Sequence, residues 1–219
     1  MIRRIRGSTI TRIGGLAIAA AFGAWISVAP VAAAPAAGDM ASAQKIADHF
    51  SSVRTMAGEF VQFGPQGQQT AGSFYLERPG KIRFNYEPPS AYQVISDGKS
   101  IVISNKKLHT NDLYSLSATP LKLLLADRID LSGGGVSEVR QDEDLTTIVM
   151  SDKSVFGNAK ITMMFDPESY ELRQWTVTDA QGKDTTVMVF NVQSGVKLDR
   201  SLFDIDYARI AENTFKRSK

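Results

Sequence analysis

Few side chains in this sequence could do chemistry. The chain has two histidines, His49 and His109, and no cysteine. His49 falls beside the apolar stripe of a predicted helix, and His109 falls in a predicted strand. Neither has a partner at metal-ligand spacing, so both read as solvated or packed structural residues. No Gly-x-Ser-x-Gly elbow occurs, although a triad assembled from distant segments is left open. Gly133–Gly135 lacks the Lys–Ser/Thr that completes a phosphate loop. Asp142–Glu143–Asp144 and Asp179–Asp184 read as solvated turns between strands. The absence of cysteine excludes disulfides, thiolate metal sites and a lipid-modified N-terminal cysteine. The expectation is a protein that is not an enzyme and holds no metal and no cofactor.

One residue is out of place. In GSFYLERPGKIRFNYEPPS, Gly72 to Ser90, strand alternation puts Phe74, Leu76 and Arg78 on one face. After the Pro79–Gly80 break, Ile82, Phe84 and Tyr86 share a face opposite Lys81, Arg83 and Asn85. An arginine thus ends an apolar row. It either lays its stem over apolar surface with its head in water, or points inward with a task. Lys81 and Arg83 lie on the opposite face from Phe84, which argues against a nucleic-acid surface.

The elements that carry these residues follow from periodicity. Ala41–Val53 reads as a helix with Ala43, Ile46, Ala47, Phe50 and Val53 on one stripe and Gln44, Lys45, Asp48 and Ser51 elsewhere. From Gly58 onward about ten short strands are expected from turn chemistry and period-two patterning. They include Glu59–Phe63, Thr70–Arg78, Lys81–Tyr86, Tyr92–Ser96, an Asp97–Gly98 hairpin into Ser100–Ser104, and Leu108–Asn111. One helix interrupts them, with Thr119 as N-cap, Pro120 first, and Leu121, Leu124 and Leu125 forming a stripe up to about Arg128. Short hairpin turns imply an antiparallel meander in one domain. The fold class expected is mainly β (α+β): one large, strongly curved antiparallel sheet, or incomplete barrel, with two helical pieces as natural covers. A sheet that large needs its concave face filled or roofed, which leaves a packed core or a cavity under a lid.

The N-terminal segment is of another kind. Arg3, Arg4, Arg6 and Arg12 make a basic start, Ile13–Val28 is nearly all apolar, and APVAAAPAAG follows. This is the plan of a secretory signal peptide over residues 1–36, with Val31/Ala33 or Ala34/Ala36 at the cleavage positions and a mature domain over 37–219. The full chain carries 25 Lys+Arg against 23 Asp+Glu. Removing the four leader arginines leaves 21 against 23, a net charge of −2. The mature protein therefore has no global electrostatic case for nucleic acid, and it is expected to be exported, soluble and monomeric.

The order of several motifs carries a resemblance. Phe60-x-Gln62, Gly72-x-Phe74-x-Leu76-x-Arg78-Pro79, Arg83-Phe84-x-Tyr86, Pro88–Pro89 and Ile95-Ser96-Asp97-Gly98-Lys99 come first. Thr119-Pro120-Leu121, Asp166-Pro167, Leu172-x-x-Trp175 and Phe203 follow. Across essentially the whole mature chain this set resembles the periplasmic outer-membrane lipoprotein carriers of the LolA type.

The resemblance implies an incomplete antiparallel barrel closed by helices over a hydrophobic cavity. It implies that acylated lipoproteins are collected from an inner-membrane lipoprotein-releasing ABC transporter and carried through the periplasm. Delivery is to an acceptor lipoprotein at the outer membrane, or to that membrane directly. It also implies that Arg78 is the lid latch, hydrogen-bonded to lid backbone when the cavity is empty. The acyl-chain cavity is then expected to include Phe60, Phe74, Leu76, Ile82, Phe84, Tyr86 and Val94 from the strands. Ile46 and Phe50 would come from one cover, and Leu121, Leu124 and Leu125 from the other. The family's longer C-terminal extension is not evident after Phe203, so acceptor recognition and membrane retention are expected to differ. The rival readings are a periplasmic lipid-binding sensor or regulator, and a carrier of free lipid or glycolipid.

Overall fold

The computed structural model describes residues 37–133, 135–154 and 157–217. The predicted leader, residues 1–36, lies outside the described residues. The chain forms an open, curved sheet of eleven antiparallel strands with a few helices. Helix α1 (Ala37–Ser52) is followed by β1 (Thr55–Phe63), β2 (Gln69–Glu77) and β3 (Lys81–Tyr86). Then come β4 (Tyr92–Asp97), β5 (Ser100–Asn105) and β6 (Thr110–Ser115). A 3₁₀ turn (Leu116–Ala118) and helix α2 (Leu121–Leu124) precede β7 (Val136–Gln141), β8 (Thr146–Ser154) and β9 (Gly157–Phe165). The chain continues with β10 (Leu172–Thr178), β11 (Asp184–Ser194), a second 3₁₀ turn (Arg200–Phe203) and α3 (Tyr207–Arg217).

The spatial order is β6-β5-β4-β3-β2-β1-β11-β10-β9-β8-β7. Every neighbour within each run is joined by a hairpin, and β1 pairs antiparallel with β11 to join the two runs. The free edges, β6 and β7, are consecutive in sequence. The segment between them, which contains α2, therefore belongs to the open side of the sheet. This is the topology of a barrel left unclosed, with edges that a covering segment must protect.

One face of the sheet carries the core. Phe60, Phe74, Leu76, Ile82, Phe84, Ile148, Ile161, Met163, Phe165 and Trp175 cluster there with Ala43, Ile46, Ala47 and Phe50 of α1 and with Leu124 and Leu125. The α1 residues recur at helical spacing, so one stripe is buried against the sheet. A smaller cluster of Ile95, Val102 and Ile210 lies apart from that core; α3 supplies its Ile210. Strand parity also explains Gly72. It pairs with Phe60 on β1 and Tyr86 on β3. A Cβ there would lie 2.0 Å from the Asn85 carbonyl oxygen and 2.9 Å from the Phe60 ring. Only a residue without a side chain lets the strands close over that ring.

Three elements differ from the sequence-based expectation. The second helix is one turn, Leu121–Leu124, and does not run to Arg128. A longer helix would use the carbonyls of Leu124, Leu125 and Ala126 for its own backbone bonds; here Arg78 and Gly80 donate to all three. The strand expected at Leu108–Asn111 is displaced to Thr110–Ser115. The Asn105 side chain accepts from the backbone N–H of Lys107 and of Leu108, each at 3.0 Å, holding 106–109 as a turn. His109 therefore sits in that turn at φ 52 and not in a strand. Helix α3 was not expected at all. Asp206, whose carboxylate accepts from the Arg209 backbone N–H at 2.9 Å, was its start signal.

Candidate functional site

Arg78 follows the last residue of β2 and is 4% exposed. Its own backbone is held from two sides. Its N–H donates to the Arg54 carbonyl at 2.8 Å, and Arg54 Nη2 donates to the Arg78 carbonyl at 3.1 Å. The turn after it is fixed by Ser96 Oγ, which donates to the Gly80 carbonyl at 2.8 Å. The guanidinium then has one direction to go. Nη1 donates to the Leu124 carbonyl at 2.6 Å and to the Ala126 carbonyl at 2.8 Å. Its carbon lies 4.4 Å from the centroid of the Phe50 ring of α1, a cation–π contact. One side chain thus joins β2, α1 and the C-terminal end of α2.

The guanidinium is only half served. Nε and Nη2 are buried without a hydrogen-bond partner. Among the described residues no carboxylate lies within ion-pair distance of it. Burial, with a smaller contribution from the nearby Arg54 charge, lowers its pKa to about 10, so it stays cationic at neutral pH. Burying an unpaired cation costs several kcal/mol. Two charge-assisted bonds at roughly 1.5–3 kcal/mol each offset much of that. The closed arrangement is consequently held, but not deeply.

Other ties reach the same loop. Gly80 N–H donates to the Leu125 carbonyl at 2.9 Å. From α1, Gln44 Nε2 donates to the Ile129 carbonyl at 3.0 Å and Gln44 Oε1 accepts from the Leu131 N–H at 2.9 Å. Ser51 Oγ accepts from the Ile129 N–H at 3.0 Å and itself donates to the Ala47 carbonyl. Arg128 donates to both oxygens of Asp48, and this bond chiefly holds the Asp48 carboxyl below the usual range. The exposed Arg54–Asp127 pair adds little. Gln44, Asp48 and Ser51 fall off the apolar stripe of α1. Their i, i+4, i+7 spacing beside the apolar stripe was the available signal for a polar face against a second partner.

Ser51 is 4% exposed and Ile129 is 1% exposed. Ser51→Ala should strand the Ile129 N–H and cost about 1–3 kcal/mol. Hydrogen exchange at the Ile129 amide should accelerate accordingly; an unchanged rate would mean that the bond holds nothing.

Two cavities formed by the described residues lie beneath these covers. The first, about 340 Å³, is lined by Phe74, Leu76 and Ile82 of the sheet, Phe50 and Val53 of the α1 region, and Leu124. His49 and Tyr170, whose rings meet edge-on at 5.6 Å, stand at its wall with Glu171. The second, about 470 Å³, is lined by Phe84, Tyr86, Val94, Ile101 and Ile103, with Leu121 and Pro120 of the covering segment. Trp175 lines both. Between them Phe84 lies 6.1 Å from Trp175, 6.4 Å from Phe74 and 5.0 Å from Phe60, centroid to centroid.

The residues expected to line a cavity therefore distribute unevenly. Phe50, Phe74, Leu76, Ile82 and Leu124 line the first cavity, and Phe84, Tyr86, Val94 and Leu121 the second. Phe60, Ile46 and Leu125 are buried in the packed core, outside the linings of these two cavities. Phe60 packs edge-on against Phe84 and Tyr86. The sheet and its covers are thus neither wholly filled nor wholly hollow. Sequence reading missed Met56, Val189, Leu172 and Trp175 as lining residues; inward parity on β1, β10 and β11 was the signal for them. Gln62, two residues from Phe60, faces inward as parity requires, and accepts a 2.7 Å bond from Tyr86 Oη. Burial raises the Tyr86 phenol to about 12, so it keeps its proton.

Among the described residues, no cluster of three or more His, Asp or Glu side chains is arranged to hold a metal, and no helix is long and apolar enough to cross a membrane.

Comparison with known proteins bears on this geometry. Residues 51–206 match the family model described as outer membrane lipoprotein carrier protein LolA. The chain is 26% identical over 168 residues to an outer-membrane lipoprotein carrier protein of Methylococcus capsulatus, covering 73% of this chain and 80% of that protein. It is 26% identical over 193 residues to one of Azotobacter vinelandii, covering 82% and 90%. Among solved structures, a LolA superfamily protein from Nitrosomonas europaea aligns with a TM-score of 0.39 at 12% identity, over 75% of this chain and 98% of that one.

Proposed function

The chain belongs to the outer membrane lipoprotein carrier protein LolA family, and we propose that it carries acylated lipoproteins, sheltering their fatty chains from water in the cavities of the sheet. The observation that carries this reading is the buried Arg78 gripping the Leu124 and Ala126 carbonyls, on a segment whose leucines roof two apolar hollows. A long acyl chain gains roughly 10 kcal/mol from insertion, at about 0.8 kcal/mol per CH₂. A carrier must match much of that and still let go.

Arg78 acts as the latch. Cargo and closure compete for the same space, so the bonds broken on entry are recovered on release and lower net affinity. Loading is from an inner-membrane lipoprotein-releasing ABC transporter, transit is through the periplasm, and delivery is to an outer-membrane acceptor or to that membrane directly. The segment 1–36 serves as the export signal, and 37–219 is the carrier domain, working as a monomer.

Depletion in living cells tests the reading. Lipoproteins destined for the outer membrane should accumulate in the inner membrane, and the periplasmic protein should carry triacylated polypeptide when its cargo is weighed by native mass spectrometry. Normal sorting on depletion, or free lipid as the sole cargo, would overturn it.

A further inference from the structure

We propose that the two cavities are separate subsites, and that the one beyond the Phe84–Trp175 partition receives the uncharged, ester-bearing part of an acylated cargo and rejects an anionic headgroup. This rests on the carrier reading above and specifies its ligand chemistry.

The two hollows differ in polarity. The first has an apolar lining from Phe74, Leu76, Ile82 and Leu124, with polar groups at Ser169, Ser194, His49 and Glu171. The second joins an apolar floor to hydroxyls and amides of Gln62, Gln68, Thr70, Thr119 and Thr185. Among the described residues, no charged residue lines the second cavity and no lysine or arginine lines either. A phosphate brought here would lose its hydration without gaining a cation, whereas ester and amide carbonyls need only a neutral donor.

Such a donor is set in place. Tyr86 Oη donates to Gln62 Oε1 at 2.7 Å. With its oxygen so engaged, the Gln62 amide presents its N–H groups as donors. Carbonyls of a glycerol ester or of an amide-linked chain match them. The partition makes the arrangement divisible. Trp175 touches both hollows, Leu121 roofs the second and Leu124 the first. Because Arg78 holds the carbonyls of Leu124 and Ala126, release of that grip loosens the one segment that roofs both hollows. Acyl chain can then occupy the first hollow while the linkage between chains and polypeptide sits in the second.

Uncharged acylglycerol has two sources, a lipid-modified polypeptide and free diacylglycerol. Protein recovered from the periplasm and stripped of lipid should be titrated, with native mass spectrometry as readout, against three probes. These are dioleoylglycerol, dioleoyl phosphatidate, and a synthetic peptide whose N-terminal cysteine carries a dioleoylglyceryl thioether. The phosphatidate has the same chains as the first probe and differs by its charged group. It should bind at least tenfold more weakly than either neutral probe. Gln62→Leu should weaken both neutral probes severalfold. Thr185→Lys, which adds a cation to the wall, should raise phosphatidate binding severalfold relative to dioleoylglycerol.

Equal binding of phosphatidate, or no response of phosphatidate to Thr185→Lys, overturns the inference even if the peptide binds and the carrier reading stands. Binding of dioleoylglycerol without the acylated peptide supports the neutral subsite and counts against the carrier reading.

Discussion

Arg78→Leu is expected to load cargo normally and to release it at least tenfold more slowly. The substitution removes the two bonds from Nη1 to the Leu124 and Ala126 carbonyls and the contact with Phe50. The empty protein then has less to regain by closing. A net loss of only about 1.4 kcal/mol in closure corresponds to tenfold in retention, and two charge-assisted bonds can supply more than that even after the unmet Nε and Nη2 donors are discounted.

Leucine also adds apolar surface near the hollow, which works in the same direction. Arg78→Lys should fall between, since an ammonium keeps the charge and can donate, but loses the planar guanidinium face that lies over the Phe50 ring. The measurement is transfer of a labelled acylated protein from purified carrier to outer-membrane vesicles. Transfer at the wild-type rate by Arg78→Leu would remove the latch from the account.

Phe60→Ala should be the most destabilising single truncation among the residues discussed, at about 3–5 kcal/mol. Phe60 is fully buried. Its ring stands edge-on to Phe84 at 5.0 Å and to Tyr86 at 5.1 Å, and Gly72 exists to make room for it. The space it leaves cannot be refilled from the side of β2, where glycine has nothing to extend. It would also remove the support behind Phe84, so the partition between the two hollows should loosen along with the fold. Urea unfolding followed by circular dichroism gives the stability change, and Phe60→Leu, which keeps most of the volume, should lose less than half as much. A loss below about 1 kcal/mol for the alanine variant would show that Phe60 is not the keystone of this wall.

Much of this was legible in the chain. Period-two alternation placed Phe74 and Leu76 with Arg78, and Ile82 with Phe84 and Tyr86, on the faces they occupy, because a strand's side chains alternate whatever the strand pairs with. Asp97–Gly98 announced its hairpin, and Ala43, Ile46, Ala47 and Phe50 announced the buried stripe of α1, because turn and helix geometry are local. Errors came where a distant partner overrode a local preference. Leu121–Leu125 has the composition of a longer helix, yet its last carbonyls are claimed by Arg78 and Gly80 from forty and more residues upstream. Ser51 lies off the apolar stripe of α1, and is buried where the Ile129 backbone folds onto it.

The amino-acid order by itself determined a mainly antiparallel β chain with apolar faces, covers for one of them, and an arginine set among hydrophobic neighbours. Each of those properties is decided within a few residues, by side-chain alternation and turn chemistry. Only the tertiary structure decided that Phe84 and Trp175 stand between two hollows, that Phe60 packs behind Phe84, and that the guanidinium reaches two carbonyls with one nitrogen. Those outcomes depend on the pairing of β1 with β11, which brings the run holding Phe60 and Phe84 beside the run holding Trp175 of β10, and no local pattern encodes the space left between side chains that meet only after the sheet has formed.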